Sequence, residues 1–155
     1  MKRQSGFTLL EILVAVAIVG ILTATAVPLY HTWQGRAYGS EASIMLKQII
    51  AAEINYFLEN NKFFPEDTTY VIPHEGQTEP TDINVIEDIY DKLHITISQG
   101  HFLEYYLTGS NVPGDESFYL SIQSRNQDFN IFKGVPEIHA SLDKDGNTEF
   151  IYPNY

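Results

Sequence analysis

Three groups of side chains in this 155-residue chain are of types that can do chemistry. The first is Glu11, a carboxylate at the head of an apolar run, residues 12–29. A charge at the bilayer centre costs about 2.5–3.5 kcal/mol by insertion scales, so an acid in such a segment points to a function. An opposite charge at about 4 Å gains roughly 4 kcal/mol at an effective dielectric of 20, enough to offset that cost. Glu11 therefore calls for a cation. Lys2 and Arg3 are the nearest, but the positive-inside rule keeps them with the cytoplasmic headgroups. The partner must then be created later or supplied by another chain.

The second group is Asp143, Asp145, Asn147 and Glu149, which alternate like oxygen ligands; Asp-x-Asp-Gly-Asn matches the start of a calcium loop. Its glycine comes two positions too early for an EF-hand and no bidentate acid stands at position 12, so the reading preferred is a hairpin turn. The third is His74, Glu75, Glu79 and Asp82, whose spacing matches no zinc pattern and reads as a solvated acidic loop. His31, His94, His101 and His139 are scattered, and no Ser, Asp and His grouping forms a nucleophile motif. The chain is expected not to be an enzyme, to use no cofactor and to hold no metal, with Asp143, Asp145 and Asn147 as the calcium alternative. Phe7, Tyr30, Trp33, Tyr38, Tyr56 and Phe57 could stack along a fibre, but core packing is the default role of large rings.

The length suits one modest domain plus a targeting or anchoring segment. The net charge is −11, and −13 when Lys2 and Arg3 are left out of the count. Such a surface argues against nucleic acid as a partner, because that affinity rests on basic contacts to phosphate. Without cysteine there is neither a disulfide nor a thiolate metal site.

Positioning elements follow from periodicity. Residues 12–22 have the length of a secretory h-region, and Ala24-Thr25-Ala26 has the form of a signal-peptidase site. Residues 7–29 are also long enough to cross a bilayer as a plain anchor. Gly20, Thr23, Thr25, Val27 and Pro28 are weak helix formers that predict a kink at Pro28. Beyond it Tyr30, Trp33, Ala37, Met45, Ile49, Ala52 and Tyr56 recur at helical spacing, widened by Leu46, Ile50, Ile54 and Phe57. Gly35 and Gly39 weaken the turn they flank.

One helix from near Phe7 to about Glu59 would be roughly 80 Å long, too long for a compact domain of this size. Its first half must lie in lipid or among other subunits, and its second half can pack on its own domain. Asn60, Asn61 and Pro65 end it, and residues 65–81 read as loop. Asp82 caps a short helix with Ile83, Ile86, Tyr90 and Leu93 on its face and Asp88 and Asp91 outward. Residues 93–97, 102–108, 118–124, 138–142 and 148–152 read as strands, with a hairpin turn at 143–147. A sheet laid on the second half of the helix partners both amphipathic surfaces, giving an α+β fold with a small antiparallel sheet.

Met1-Lys2-Arg3-Gln4-Ser5-Gly6 followed by Phe7-Thr8-Leu9-Leu10-Glu11 resembles the class III signal sequence of type IV pilins and type II secretion pseudopilins. The resemblance implies cleavage between Gly6 and Phe7 by a prepilin peptidase, N-methylation of Phe7, and a carboxylate at the fifth mature position, here Glu11. In that family the acid pairs with the amino terminus of a neighbouring subunit, which would supply the missing cation. Gly20 and Pro28 are similar to the family's glycine and proline pair, implying a segment that loosens between membrane and filament; a static kink is the other reading. Residues 56–65 are similar to the family's tyrosine and Phe-Pro cadence.

The implied layout is a leader at 1–6, a transmembrane and assembly helix at 7–29, the amphipathic half of that helix at 30–59 and a globular head at 60–155. The implied partners are further copies in a helical homo-oligomeric filament, the prepilin peptidase, the assembly machinery and the inner membrane, which holds the precursor before an extracellular or periplasmic filament forms. The lack of cysteine departs from the disulfide-closed carboxy-terminal loop of many type IV pilins, and calcium binding near that loop in some secretion pseudopilins sustains the calcium alternative. A type II secretion pseudopilin is the alternative within the family, although the loop after Pro65 lacks the threonine, glutamate, glutamine and glycine pattern of the major pseudopilin. From a different class comes a secreted acidic binding domain released after Ala26.

Overall fold

A computed structural model describes residues 7–74, 83–97, 101–124, 130–131 and 134–151. The expected leader with Gly6, the loop acids Glu75, Glu79 and Asp82, and the expected end of the last strand at Tyr152 lie outside the described residues. The chain divides into two units, Met1–Gln34 and Gly35–Tyr155. Helix α1, Leu9–Asn60, begins in the first unit and ends in the second.

In the first unit every described side chain of residues 7–29 is exposed. By length and composition α1 can cross a membrane. It runs unbroken through Pro28. Three threonine hydroxyls donate to the carbonyls of the preceding turn: Thr23 to Val19 at 2.7 Å, Thr25 to Leu22 at 2.9 Å and Thr32 to Pro28 at 3.1 Å. These bonds satisfy the hydroxyl donors within the helix, the requirement an apolar surrounding imposes.

The second unit is built on a five-stranded sheet in the order β1-β2-β3-β4-β5, with every neighbouring pair antiparallel. The strands are β1 Thr69–Ile72, β2 Leu103–Ser110, β3 Ser117–Ser124, β4 Glu137–Asp143 and β5 Thr148–Ile151. Strand side chains alternate between the two faces of a sheet. Ile72, Leu103, Tyr105, Leu107, Phe118, Leu120, Ile122, Ile138, Ala140 and Leu142 accordingly enter one core with Ala42, Leu46, Ile49 and Ile50 of α1. The opposite face is polar and carries the row Tyr106, Ser121 and His139 across β2, β3 and β4.

Four expectations need correction. The buried stripe of α1 runs through Gly35, Gly39, Ala42, Leu46, Ile49, Ile50 and Glu53, while Tyr30, Trp33 and Ala37 are exposed. The glycines are the reason, because a Cβ on Gly39 would lie 1.7 Å from the Ile131 carbonyl oxygen and one on Gly35 would lie 2.7 Å from that of Asn130. They admit a backbone to the helix surface where larger residues could not. Of the aromatics, Tyr38, Tyr56 and Phe57 pack against the core, whereas Phe7, Tyr30 and Trp33 do not.

Within the expected loop at 65–81, β1 pairs with β2. Its exposed, half-buried, exposed, buried pattern is too short to stand out by period alone. Residues 94–97 form no strand. Leu93 instead ends the short helix α2, Ile83–Leu93, with His94 at φ 56° just beyond it. The alternation there is still used, since Leu93, Ile95 and Ile97 are buried and His94 and Thr96 exposed. Finally, α2 turns Ile89 and Leu93 into the core with Val85 beside them, leaving Ile83 and Tyr90 exposed. The spacing of four among 85, 89 and 93 sets that face.

Gly39→Ala is therefore expected to lower the unfolding free energy by about 1–3 kcal/mol, the usual cost of overpacking. Gly20→Ala meets nothing within 4 Å and should raise helix stability by about 0.5–1 kcal/mol. Denaturation of the full chain in detergent compares the two, and a Gly39→Ala protein as stable as the unaltered one refutes the packing account.

Candidate functional site

The head of α1 is built by two residues. Thr8 precedes the first helical residue, and Glu11 stands three positions on. The Thr8 backbone N–H donates to Oε2 of Glu11 at 2.8 Å, its hydroxyl donates to the same oxygen at 2.9 Å, and the Glu11 N–H donates back to the hydroxyl at 3.3 Å. This is a capping box, in which N-terminal backbone donors are satisfied reciprocally. The carboxylate also sits where the positive end of the helix dipole favours an anion.

Within one chain the Glu11 carboxylate is met by two neutral donors, and both hydrogen bonds that it accepts fall on Oε2. Among the described residues Oε1 accepts none, so a further donor can approach the carboxylate without breaking the cap. Thr-x-x-Glu ahead of an apolar run is itself a capping signature, and it could have identified Thr8 from sequence.

Phe7 is 85% exposed at the start of the described chain. Gly20 has open space where a side chain would be, and Pro28 lies within α1. Asp143, Asp145 and Asn147 form the turn between β4 and β5. There Asp143 Oδ1 accepts from the backbone N–H groups of Asp145 at 2.9 Å and Asn147 at 2.8 Å, while Oδ2 accepts from the Asn147 amide at 2.8 Å. Those bonds, the Asn147 side chain first, hold the Asp143 carboxyl below its ordinary range. Gly146, at φ 82°, supplies the left-handed residue. Both oxygens of Asp143 are directed to N–H donors and fix the hairpin that anchors β5 without a disulfide.

Two buried acids were not singled out by sequence. Glu53, on the core face of α1, is fully buried; its Oε2 accepts from the Phe64 N–H at 3.1 Å, and its Oε1 has no hydrogen-bond partner among the described residues. Burial pushes this carboxyl up to about 8, against the lowering effect of the Phe64 bond. An acid at helical spacing among Leu46, Ile49, Ile50 and Phe57 was a visible signal. Glu104, on the polar face of the sheet, lies 2.8 Å from Nδ1 of His74, and both are buried. No sequence signal joins them, because their 30-residue separation is closed only by the β1–β2 pairing.

Comparison with known proteins bears on the head of α1. A family profile described as the prokaryotic N-terminal methylation motif matches residues 1–27. The chain is 42% identical over 66 residues to the type IV major pilin protein PilE1 of Neisseria gonorrhoeae, covering 43% of this chain and 39% of that protein. It is 41% identical over 61 residues to the type IV major pilin protein PilA of Myxococcus xanthus, covering 39% and 28% respectively. These matches support the type IV pilin family. A fimbrial protein of Pseudomonas aeruginosa is 38% identical over 85 residues, 52% of this chain and 53% of that protein. The matches span between 28% and 53% of these relatives' own lengths. No solved structure gives a significant match. The α+β fold of a long helix packed on an antiparallel sheet is pilin-like.

Proposed function

We propose that this chain is a structural subunit of a type IV pilus-like filament, not an enzyme. The observation that carries the reading is an exposed apolar segment, residues 7–29, headed by a carboxylate held in a capping box. Apolar surface of that extent calls for cover, and lipid and equivalent helices of other copies can each provide it. The precursor would rest in the inner membrane, lose residues 1–6 by cleavage after Gly6, and receive a methyl group on Phe7. The assembly machinery would then transfer it into a filament outside that membrane.

Cleavage makes a new amine at Phe7, and this amine of one subunit would approach Oε1 of Glu11 in the next. Such heterologous contacts do not close on themselves and so generate a fibre. Gly20 and Pro28 would provide the local give needed on leaving lipid. Residues 30–59 and 60–155 would form the head side of the subunit, with an acidic surface unsuited to nucleic acid.

Mass spectrometry of the chain recovered from its native cells tests the reading. The expected mature protein begins at Phe7 and carries one additional methyl group. A mature start at Val27 would instead establish release by an ordinary signal peptidase and end the filament account.

A further inference from the structure

Tyr30 and Trp33 stand nearly one helical turn apart on α1, just beyond the apolar segment and inside the same unit, Met1–Gln34. Each is 65% exposed, and neither belongs to the core. Residues three apart on a helix share a face, so the two rings form one aromatic patch. No charged side chain lies between Glu11 and Arg36. The hydroxyls of Thr23 and Thr25 are satisfied within the helix, so the apolar stretch runs on to Leu29 and ends at Tyr30 and His31.

Tyrosine and tryptophan each carry an apolar body and one polar tip, and they are enriched where a bilayer meets water, at headgroup level. Lengths decide whether these two reach that level. Tyr30 is 19 residues beyond Glu11, about 29 Å of helix, against a hydrocarbon core of about 30 Å. Trp33 lies about 4.5 Å further along, within the polar layer that brings the bilayer to about 40–45 Å. A single placement therefore suits both ends. Glu11 sits at one edge of the hydrocarbon, where Oε1, which accepts no hydrogen bond among the described residues, is open to headgroup amines and water. The cost of a charge at the bilayer centre is avoided. Lys2 and Arg3 mark that edge as cytoplasmic, so the two rings belong to the outer leaflet.

We propose that Tyr30 and Trp33 seat α1 in the outer leaflet of the inner membrane, with their rings against the glycerol-ester layer of the phospholipids and their O–H and N–H groups donating to ester and phosphate oxygens. This rests on the membrane stage of the proposed function and adds the depth at which the helix lies. The pair and the Thr8–Glu11 cap bracket the hydrocarbon from opposite sides. Sliding toward the cytoplasm draws both polar tips into acyl chains, and sliding outward draws the carboxylate in. Lipid is favoured over the helix of a second copy because the interval between Glu11 and Tyr30 matches the thickness of a bilayer, a length that helix packing does not impose.

Trp33 is the only tryptophan of the chain, so its fluorescence reports its own depth. The test incorporates the full chain into phosphatidylcholine vesicles whose acyl chains carry bromine either beside the glycerol or near the methyl end. Bromine beside the glycerol should quench most of the Trp33 emission, and bromine near the methyl end little of it. Tyr30→Trp combined with Trp33→Tyr should likewise be quenched mainly from the glycerol side. Ile21→Trp combined with Trp33→Tyr, near the midpoint between Glu11 and Tyr30, should show the opposite preference. Trp33 quenched chiefly from the methyl end, or only by aqueous acrylamide, overturns the seat while the Ile21→Trp signal still reports an inserted helix. A Trp33 that neither bromine nor acrylamide reaches also overturns it and assigns the rings to a second copy. If the chain fails to float with the vesicles after an alkaline wash, the membrane stage itself falls, and the seat with it.

Discussion

Glu11→Ala should be cleaved after Gly6 as efficiently as the unaltered chain and yield no filaments. Two roles of the carboxylate are lost together in that variant, the cap on Thr8 and the proposed bond to a neighbour's amine. Glu11→Gln separates them. Its amide oxygen can still accept from the Thr8 N–H and hydroxyl, which Glu11 now meets at 2.8 and 2.9 Å, but it offers the Phe7 amine no charge. Loss of a cap costs about 0.5–2 kcal/mol. An ion pair at about 4 Å is worth roughly 4 kcal/mol at an effective dielectric of 20, about a thousandfold in the equilibrium constant for adding each subunit. Glu11→Gln is therefore expected to fail in assembly nearly as completely as Glu11→Ala, as counted by electron microscopy of filaments on intact cells. Thr8→Ala, which leaves the charge in place, should assemble with a modest deficit. Abundant filaments from Glu11→Gln would reduce the residue to a helix cap.

The second large effect concerns stability and lies in the head. Glu53 has a folded-state pKa of about 8 against an ordinary 4.5. Below 4.5 both folded and unfolded chains hold the proton, and Glu53 exacts no electrostatic penalty. Between the two values the unfolded chain releases a proton that the folded chain retains, so stability falls as pH rises. The full penalty, on the order of 5 kcal/mol at about 1.4 kcal/mol per pKa unit, is reached above the folded-state value.

The melting temperature of the full chain in detergent is accordingly expected to fall from pH 5 through pH 9. Glu53→Gln, neutral and of the same shape, keeps an acceptor for the Phe64 N–H, which now lies 3.1 Å from Oε2. It should flatten the curve and raise stability at pH 8–9. Other groups titrating in this window contribute equally to both proteins, so the difference between the curves isolates Glu53. Parallel curves would show that the carboxylate is hydrated in the folded state.

The reach of the sequence differed between local and long-range features. Helix α1 was legible because an apolar run, an acid at its head and a helical period behind it are signals carried within a few turns. Its end was legible in Asn61, which takes the left-handed conformation at φ 53° and donates its N–H to the Phe57 carbonyl at 2.8 Å. The β4–β5 hairpin was legible for the same reason, since Asp143, Gly146 and Asn147 make their turn with one another. β2 and β3 showed through aromatic and β-branched composition. Each of these features is decided by residues close in the chain.

The amphipathic plan was thus legible before any long-range contact: an apolar helix headed by a carboxylate, continued as a helix that needs a sheet. Tertiary structure alone decided which residues that plan brings together. Gly35 and Gly39 read as weak helix positions until the carbonyls of Asn130 and Ile131 came to lie against them. β1 became a strand only because β2 offered it a ladder, while residues 94–97 kept their alternation without finding one. The pairs Glu104–His74 and Tyr119–His139 are 30 and 20 residues apart in the chain and exist by strand register. Register is a property of the whole sheet, set when one face must be buried, and no local stretch of sequence contains it.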